Sequence, residues 1–136
     1  MSIEVQGVSP LLQVFDMPTS IRFYRDVLGF RITGISRPMS DDPDDVNWVM
    51  LQLGEGTVML NTAYEKEYRP STPIPEQVRS HDDTCLYFGC PNVDGAFSYL
   101  SSKGLQLKPP EVAHYGMKQL YLKDPDGFGL CFQWTA

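Results

Sequence analysis

The chain has 136 residues, of which 42% are hydrophobic and 21% charged, and its net charge is −6. One domain's worth of chain buries roughly two-thirds of its unfolded surface. The acidity argues against phosphate backbones and anionic lipid as partners and permits cationic ligands, and no apolar run approaches the ~20 residues of a membrane span.

The opening stretch, MSIEVQGVSP, lacks the basic and apolar segments of a signal peptide. Three cysteines are too few and too odd a set for a disulfide scaffold, so a reducing, cytoplasmic setting is expected. SPLLQVF then reads as a strand, followed by a helix. Asp16 can cap that helix, Pro18 lies in its first turn, Ile21, Tyr24 and Leu28 recur at helical spacing, and Gly29 supplies a left-handed exit. A second strand starts at Phe30. The run SDDPDD is an acidic loop, and NWVMLQLGEGTVMLNTA is a hairpin about a glycine turn. Trp48 is expected to face the helix and belong to the core.

From Cys85 the pattern starts again. Laying Ser9 on Cys85 puts Val14 on Cys90, Ser20 on Ala96, Ile21 on Phe97 and Gly29 on Gly104. Asn92 or Asp94 caps the second helix, Ala96, Phe97 and Leu100 form its stripe, and Gly104 ends it. KQLYLKDPDGFGLCFQWTA repeats the hairpin, with Gly56 on Gly127, Val58 on Gly129 and Leu60 on Cys131. The chain is therefore α+β: two tandem βαβββ modules, about 5–63 and 84–136, joined by a proline-rich linker at 64–83 with room for one helical turn. Two single-helix modules cannot each bury a full core, so they form a curved, cleft-forming mixed sheet with helices on the outer face.

LLQVFDMPTSIRFYRDVLGF, followed far downstream by YGMKQLYLKDPDGFGLCF, resembles the vicinal oxygen chelate superfamily of glyoxalase I, bleomycin-resistance proteins, fosfomycin-resistance enzymes and extradiol dioxygenases. In metal-using members the resemblance implies four ligand positions, in the first and last strand of each half, that hold His, Glu or Gln. Carried onto this chain they read Ser9, Leu60, Cys85 and Cys131. A hard divalent ion needs carboxylate or imidazole donors, so the expectation is no metal and no cofactor.

What remains is a cleft lining. Gln13 shares the face of Ser9, at a place that helps hold substrate in glyoxalase relatives. Thr62 flanks Leu60, Tyr87 shares the face of Cys85, and Gln133 that of Cys131. Tyr115 and His114, from EVAHYGMK, can close over it. Cys85 and Cys131 are read first as small buried residues, with a soft-metal pair or a disulfide as alternatives. His81 and His114 fall in loops and form no catalytic pair. The resemblance implies a homodimer, often with halves exchanged, that sequesters a hydrophobic or cationic small molecule such as an antibiotic. The competing reading is a divergent metal-dependent lyase, isomerase or dioxygenase; fold alone does not separate them.

Overall fold

The computed structural model describes residues 2–136. It divides into two compact units, Met1–Arg69 and Pro70–Ala136.

The first unit runs β1 (Leu11–Val14), α1 (Met17–Arg22) extended by a π-helical turn (Phe23–Val27), β2 (Arg31–Ile35), β3 (Trp48–Leu53) and β4 (Gly56–Thr62). Its sheet order is β1-β4-β3-β2, with β1 parallel to β4 and the other pairs antiparallel. Asp16 caps α1 by accepting from the Thr19 backbone N–H at 3.3 Å, and its side chain also accepts from the Thr19 hydroxyl. Alternation decides the core. Leu12 and Val14, Val49 and Leu51, and Val58 and Leu60 are all buried, as are Met17, Ile21, Tyr24, Leu28 and Phe30 on the helical side. Each such side chain contributes about 1.5–3 kcal/mol of apolar burial.

The second unit opens with a helical turn, α2 (Pro75–Ser80), and a short 3-10 turn (His81–Asp83). Then come β5 (Cys85–Gly89), α3 (Val93–Ser102), β6 (Glu111–Val112), β7 (Met117–Lys123) and β8 (Gly129–Thr135). The order β5-β8-β7-β6, with β5 parallel to β8, repeats the first sheet. Asn92, rather than Asp94, is the cap of α3, accepting from the Gly95 N–H at 2.9 Å. The strand after α3 starts later than its counterpart in the first unit and covers only two residues. Pro109 and Pro110 immediately precede it, and proline cannot donate to a ladder.

The DPDG turn is fixed by Asp124, whose buried carboxylate accepts from the N–H groups of Asp126 and Phe128, both at 2.9 Å. Gly127 has φ +87°, and a Cβ there would lie 2.8 Å from the Val78 carbonyl oxygen, so only glycine fits between this turn and α2. The linker histidine, His81, belongs to the same packing: its ring stacks on Phe128 at 3.9 Å and its Nδ1 lies 2.6 Å from the Asp126 carbonyl oxygen.

Two expectations change with the register. Leu12 pairs with Leu60 as Phe88 pairs with Phe132, so the counterpart of Cys131 is Met59 and not Leu60. The longer turn before β8 shifts the repeat by one residue, which reverses a strand face. Trp48 pairs with Asn61, one step from the buried Val49–Leu60 pair, so it stands on the face away from the helix.

Candidate functional site

Each sheet has a face that the helix does not cover. In the first unit that face carries Ser9, Gln13, Met59, Asn61 and Trp48 by alternation from the paired strands. The Ser9 hydroxyl lies 2.5 Å from that of Thr57. Leu60 is not on this face. It is fully buried among core residues, because its neighbours Leu12 and Val49 point toward the helix. Thr62 shares that inward parity through its partner Val14, and its hydroxyl reaches Asn47 Oδ1 at 3.5 Å. It lines a separate small cavity of about 230 Å³ at the strand ends, with Asp16, Tyr64 and Arg69.

The second unit assembles a denser site. Tyr87, Cys131 and Tyr121 stand side by side on β5, β8 and β7, with Gln133 opposite Gln119 one step along the same face. Cys131 has none of its surface exposed, and Tyr87 and Tyr121 lean together above it. Their hydroxyls are 3.2 Å apart and their rings meet edge to face at 6.2 Å. Gln119 Nε2 donates to Gln133 Oε1 at 2.9 Å and to the Tyr115 hydroxyl at 2.8 Å. Cys85 sits further along β5, its sulfur so close to Gly129 that a Cβ there would meet it at 3.1 Å. Beside this face lies a cavity of about 460 Å³, whose lining includes Gln119, Tyr121, Lys108, Glu111 and Lys123.

The structure thus brings Cys85, Tyr87, Tyr115, Cys131 and Gln133 together. Gln119 and Tyr121 complete the group and were missed from sequence. Their signal was present in KQLYLK, where alternation gives them one face. Pairing that strand with CFQ would have placed them beside Cys131 and Gln133. Among the described residues, His114 meets Tyr115 edge-on, with ring centroids 5.1 Å apart.

Electrostatically the face is quiet at neutral pH. Burial pushes the Cys131 thiol up to about 11, and burial also raises Cys85. The Tyr121 phenol is raised chiefly by its hydrogen bond with Tyr87, with burial adding to it. These groups offer rings and hydrogen bonds rather than a thiolate nucleophile. Two of the acidic loop's four aspartates are paired with arginines: Asp44 is held by Arg25 at 2.8 Å, and Asp42 by Arg22 at 2.7 Å. The loop is a structural tie to α1 and its π turn.

The donors do not fit a hard divalent ion. With the register corrected, the four implied positions read Ser9, Met59, Cys85 and Cys131. They supply no carboxylate and no imidazole, and the two thiols are held protonated. Among the described residues, no group of three or more His, Cys, Asp or Glu side chains is arranged to hold a metal. No helix among them is long and apolar enough to cross a membrane.

Known folds agree with this architecture. TioX from Micromonospora sp. ML1 superposes with a TM-score of 0.72 at 19% identity, covering 97% of this chain and 100% of that one. A bleomycin-binding protein complexed with bleomycin gives 0.67 at 18% identity, with coverage of 97% and 100%. The bleomycin-binding protein of bleomycin-producing Streptomyces verticillus, complexed with copper(II)-bleomycin, gives 0.66 at 16% identity, with coverage of 96% and 97%. No curated protein matches the chain in sequence. The model of the Glyoxalase/Bleomycin resistance protein/Dioxygenase superfamily matches residues 8–132, nearly the full length, and the chain belongs to that superfamily.

Proposed function

We propose that this protein is a metal-independent small-molecule-binding protein that takes a hydrophobic or cationic ligand, such as an antibiotic, in a sheet-lined cleft of a homodimer. One observation carries the reading. The positions that hold metal ligands in chelating relatives are occupied here by Ser9, Met59, Cys85 and Cys131, while the same face of the second sheet presents two tethered tyrosine rings and a glutamine pair. Aromatic rings with a few fixed polar groups are the usual lining of a ligand pocket. A net charge of −6 favours a cationic ligand, and the bleomycin-binding proteins of similar fold are complexed with a bulky drug. Three free thiols suit a cytoplasmic setting.

The test is a thermal-shift titration of the full chain with metal-free bleomycin, beside light scattering and metal analysis of protein purified without chelator. A saturating ligand at 100 times its Kd stabilises by about 2.7 kcal/mol, which raises Tm by several degrees. That rise, a dimer mass, and well under a stoichiometric amount of metal are expected. Near-stoichiometric zinc, iron or nickel would overturn metal independence, and a monomer mass with bound drug would remove the dimer cleft.

A further inference from the structure

The tyrosine–glutamine face has a defined hydrogen-bond polarity. Gln119 Nε2 carries two hydrogens, and both are committed, one to Gln133 Oε1 and one to the Tyr115 hydroxyl. Gln133 therefore accepts through its oxygen and turns its own NH2 group away from Gln119. Tyr115, used as an acceptor, keeps its O–H to give. Neither group donates to another described residue. Next to these donors, Tyr87 and Tyr121 are 54% and 49% exposed, yet their hydroxyl contact at 3.2 Å fixes the rings. Set edge to face, the two rings form a corner: a flat ligand ring that stacks on one meets the edge of the other, and it gains apolar burial at little cost in side-chain freedom.

We propose that the face takes a planar aromatic ligand bearing a carbonyl or carboxylate group, with Gln133 Nε2 and the Tyr115 hydroxyl donating to the ligand oxygens and its ring stacked on one of Tyr87 and Tyr121 and edge-on to the other. This rests on the binding reading above and decides between its two ligand classes against the cationic one: whatever the net charge of −6 does at long range, an ammonium group at this point would meet N–H and O–H hydrogens. The charges around the neighbouring cavity do not decide the matter. Lys108 and Lys123 lie on its wall with Glu111, and Lys123 is paired with Asp82. The neutral donors set the preference. Tyr115 is 58% exposed and Gln133 half-buried in the unbound protein, so it is the bound ring that shuts water from their donors, and a ligand without an acceptor then leaves them unpaired.

Three probes share one ring and differ only in this group: 2-naphthoate, 2-naphthamide and 2-naphthylmethylammonium. Each is titrated into the full chain and followed through the glutamine side-chain amide resonances. The naphthoate and naphthamide are expected to bind at least roughly tenfold tighter than the ammonium. Gln133→Glu keeps the acceptor for Gln119 and exchanges the outward donors for an acceptor, so it should reverse that order. Equal or tighter binding of the ammonium to the natural chain overturns the inference, shows that the two amides are turned the other way, and leaves the binding reading intact. An unchanged order in Gln133→Glu overturns it as well. Failure of all three probes to bind at millimolar concentration, with bleomycin still bound, overturns the inference alone; failure of bleomycin too removes both readings.

Discussion

Cys131 occupies the middle of a three-strand row, with Tyr87 on one side and Tyr121 on the other. A small, apolar-tolerant side chain is what that place needs, because both rings close over it and a larger one would drive their hydroxyls apart. Burial raises its thiol to about 11, from an ordinary value of 9.0. The folded protein thus holds this proton more tightly than the unfolded chain does. The associated stability is present in full below pH ~9 and is lost as pH rises toward 11. Cys85 and Tyr121 are shifted in the same direction and add to the alkaline loss. The urea midpoint of the natural chain should hold level from pH 7 to 8 and fall between about 9 and 11. Cys131→Ala should start lower at pH 7, from its cavity, but fall less steeply. Parallel curves for the two proteins would show that the thiol is not the source.

At the scale of elements, α1 with its π turn and α3 each begin at a side-chain cap and end on a glycine with positive φ, Gly29 at +89° and Gly104 at +92°. These punctuation residues made the helices legible in sequence, and strand alternation made the two hairpins legible. Register was not. Whether Leu60 or Met59 matches Cys131 depends on one residue in the turn before β8, and neither LGEG nor DPDGF states how its strands pair. The site was read accordingly. Residues placed by alternation within one strand, such as Tyr87 and Gln133, landed on the expected face; Leu60 and Thr62, placed by matching the two tails, did not. Gly95 in the first turn of α3 shows a similar dependence on a neighbour. Gly→Ala in a helix ordinarily gains about 1 kcal/mol. Here the new Cβ would lie 2.7 Å from Asn92 Cγ and push the cap aside. Losing the cap costs about 1 kcal/mol, so Gly95→Ala should leave stability nearly unchanged. In an Asn92→Ala background the clash and the cap are both gone, and the same change should stabilise by about 1 kcal/mol in chemical denaturation. An equal effect in both backgrounds would mean that Asn92 does not cap α3.

For the molecule as a whole, the stability of the two units follows from their size. Each has only about 70 residues, a length at which a single core rarely supplies more than ~3–5 kcal/mol. The surface charge does not help, since the net −6 repels itself and Arg22 and Arg25 are already engaged with Asp42 and Asp44. The stability of either unit alone is therefore expected to be marginal, and the chain is expected to unfold in one cooperative step. The two tryptophans make this measurable, because one reports each unit. Trp48 packs against Gly34, where a Cβ would lie 3.1 Å from its ring, and Trp134 lies over Gly89, where the corresponding distance is 3.4 Å. Trp48→Phe leaves a fluorescent reporter of the second unit, and Trp134→Phe leaves one of the first. For each variant, the urea midpoint read by its remaining tryptophan should coincide with that read by far-ultraviolet circular dichroism, which follows both sheets. Coincidence in both variants supports a single folding unit. A tryptophan midpoint displaced from the dichroism curve would show that one sheet survives the loss of the other, and its core would then have to be stronger than its length implies.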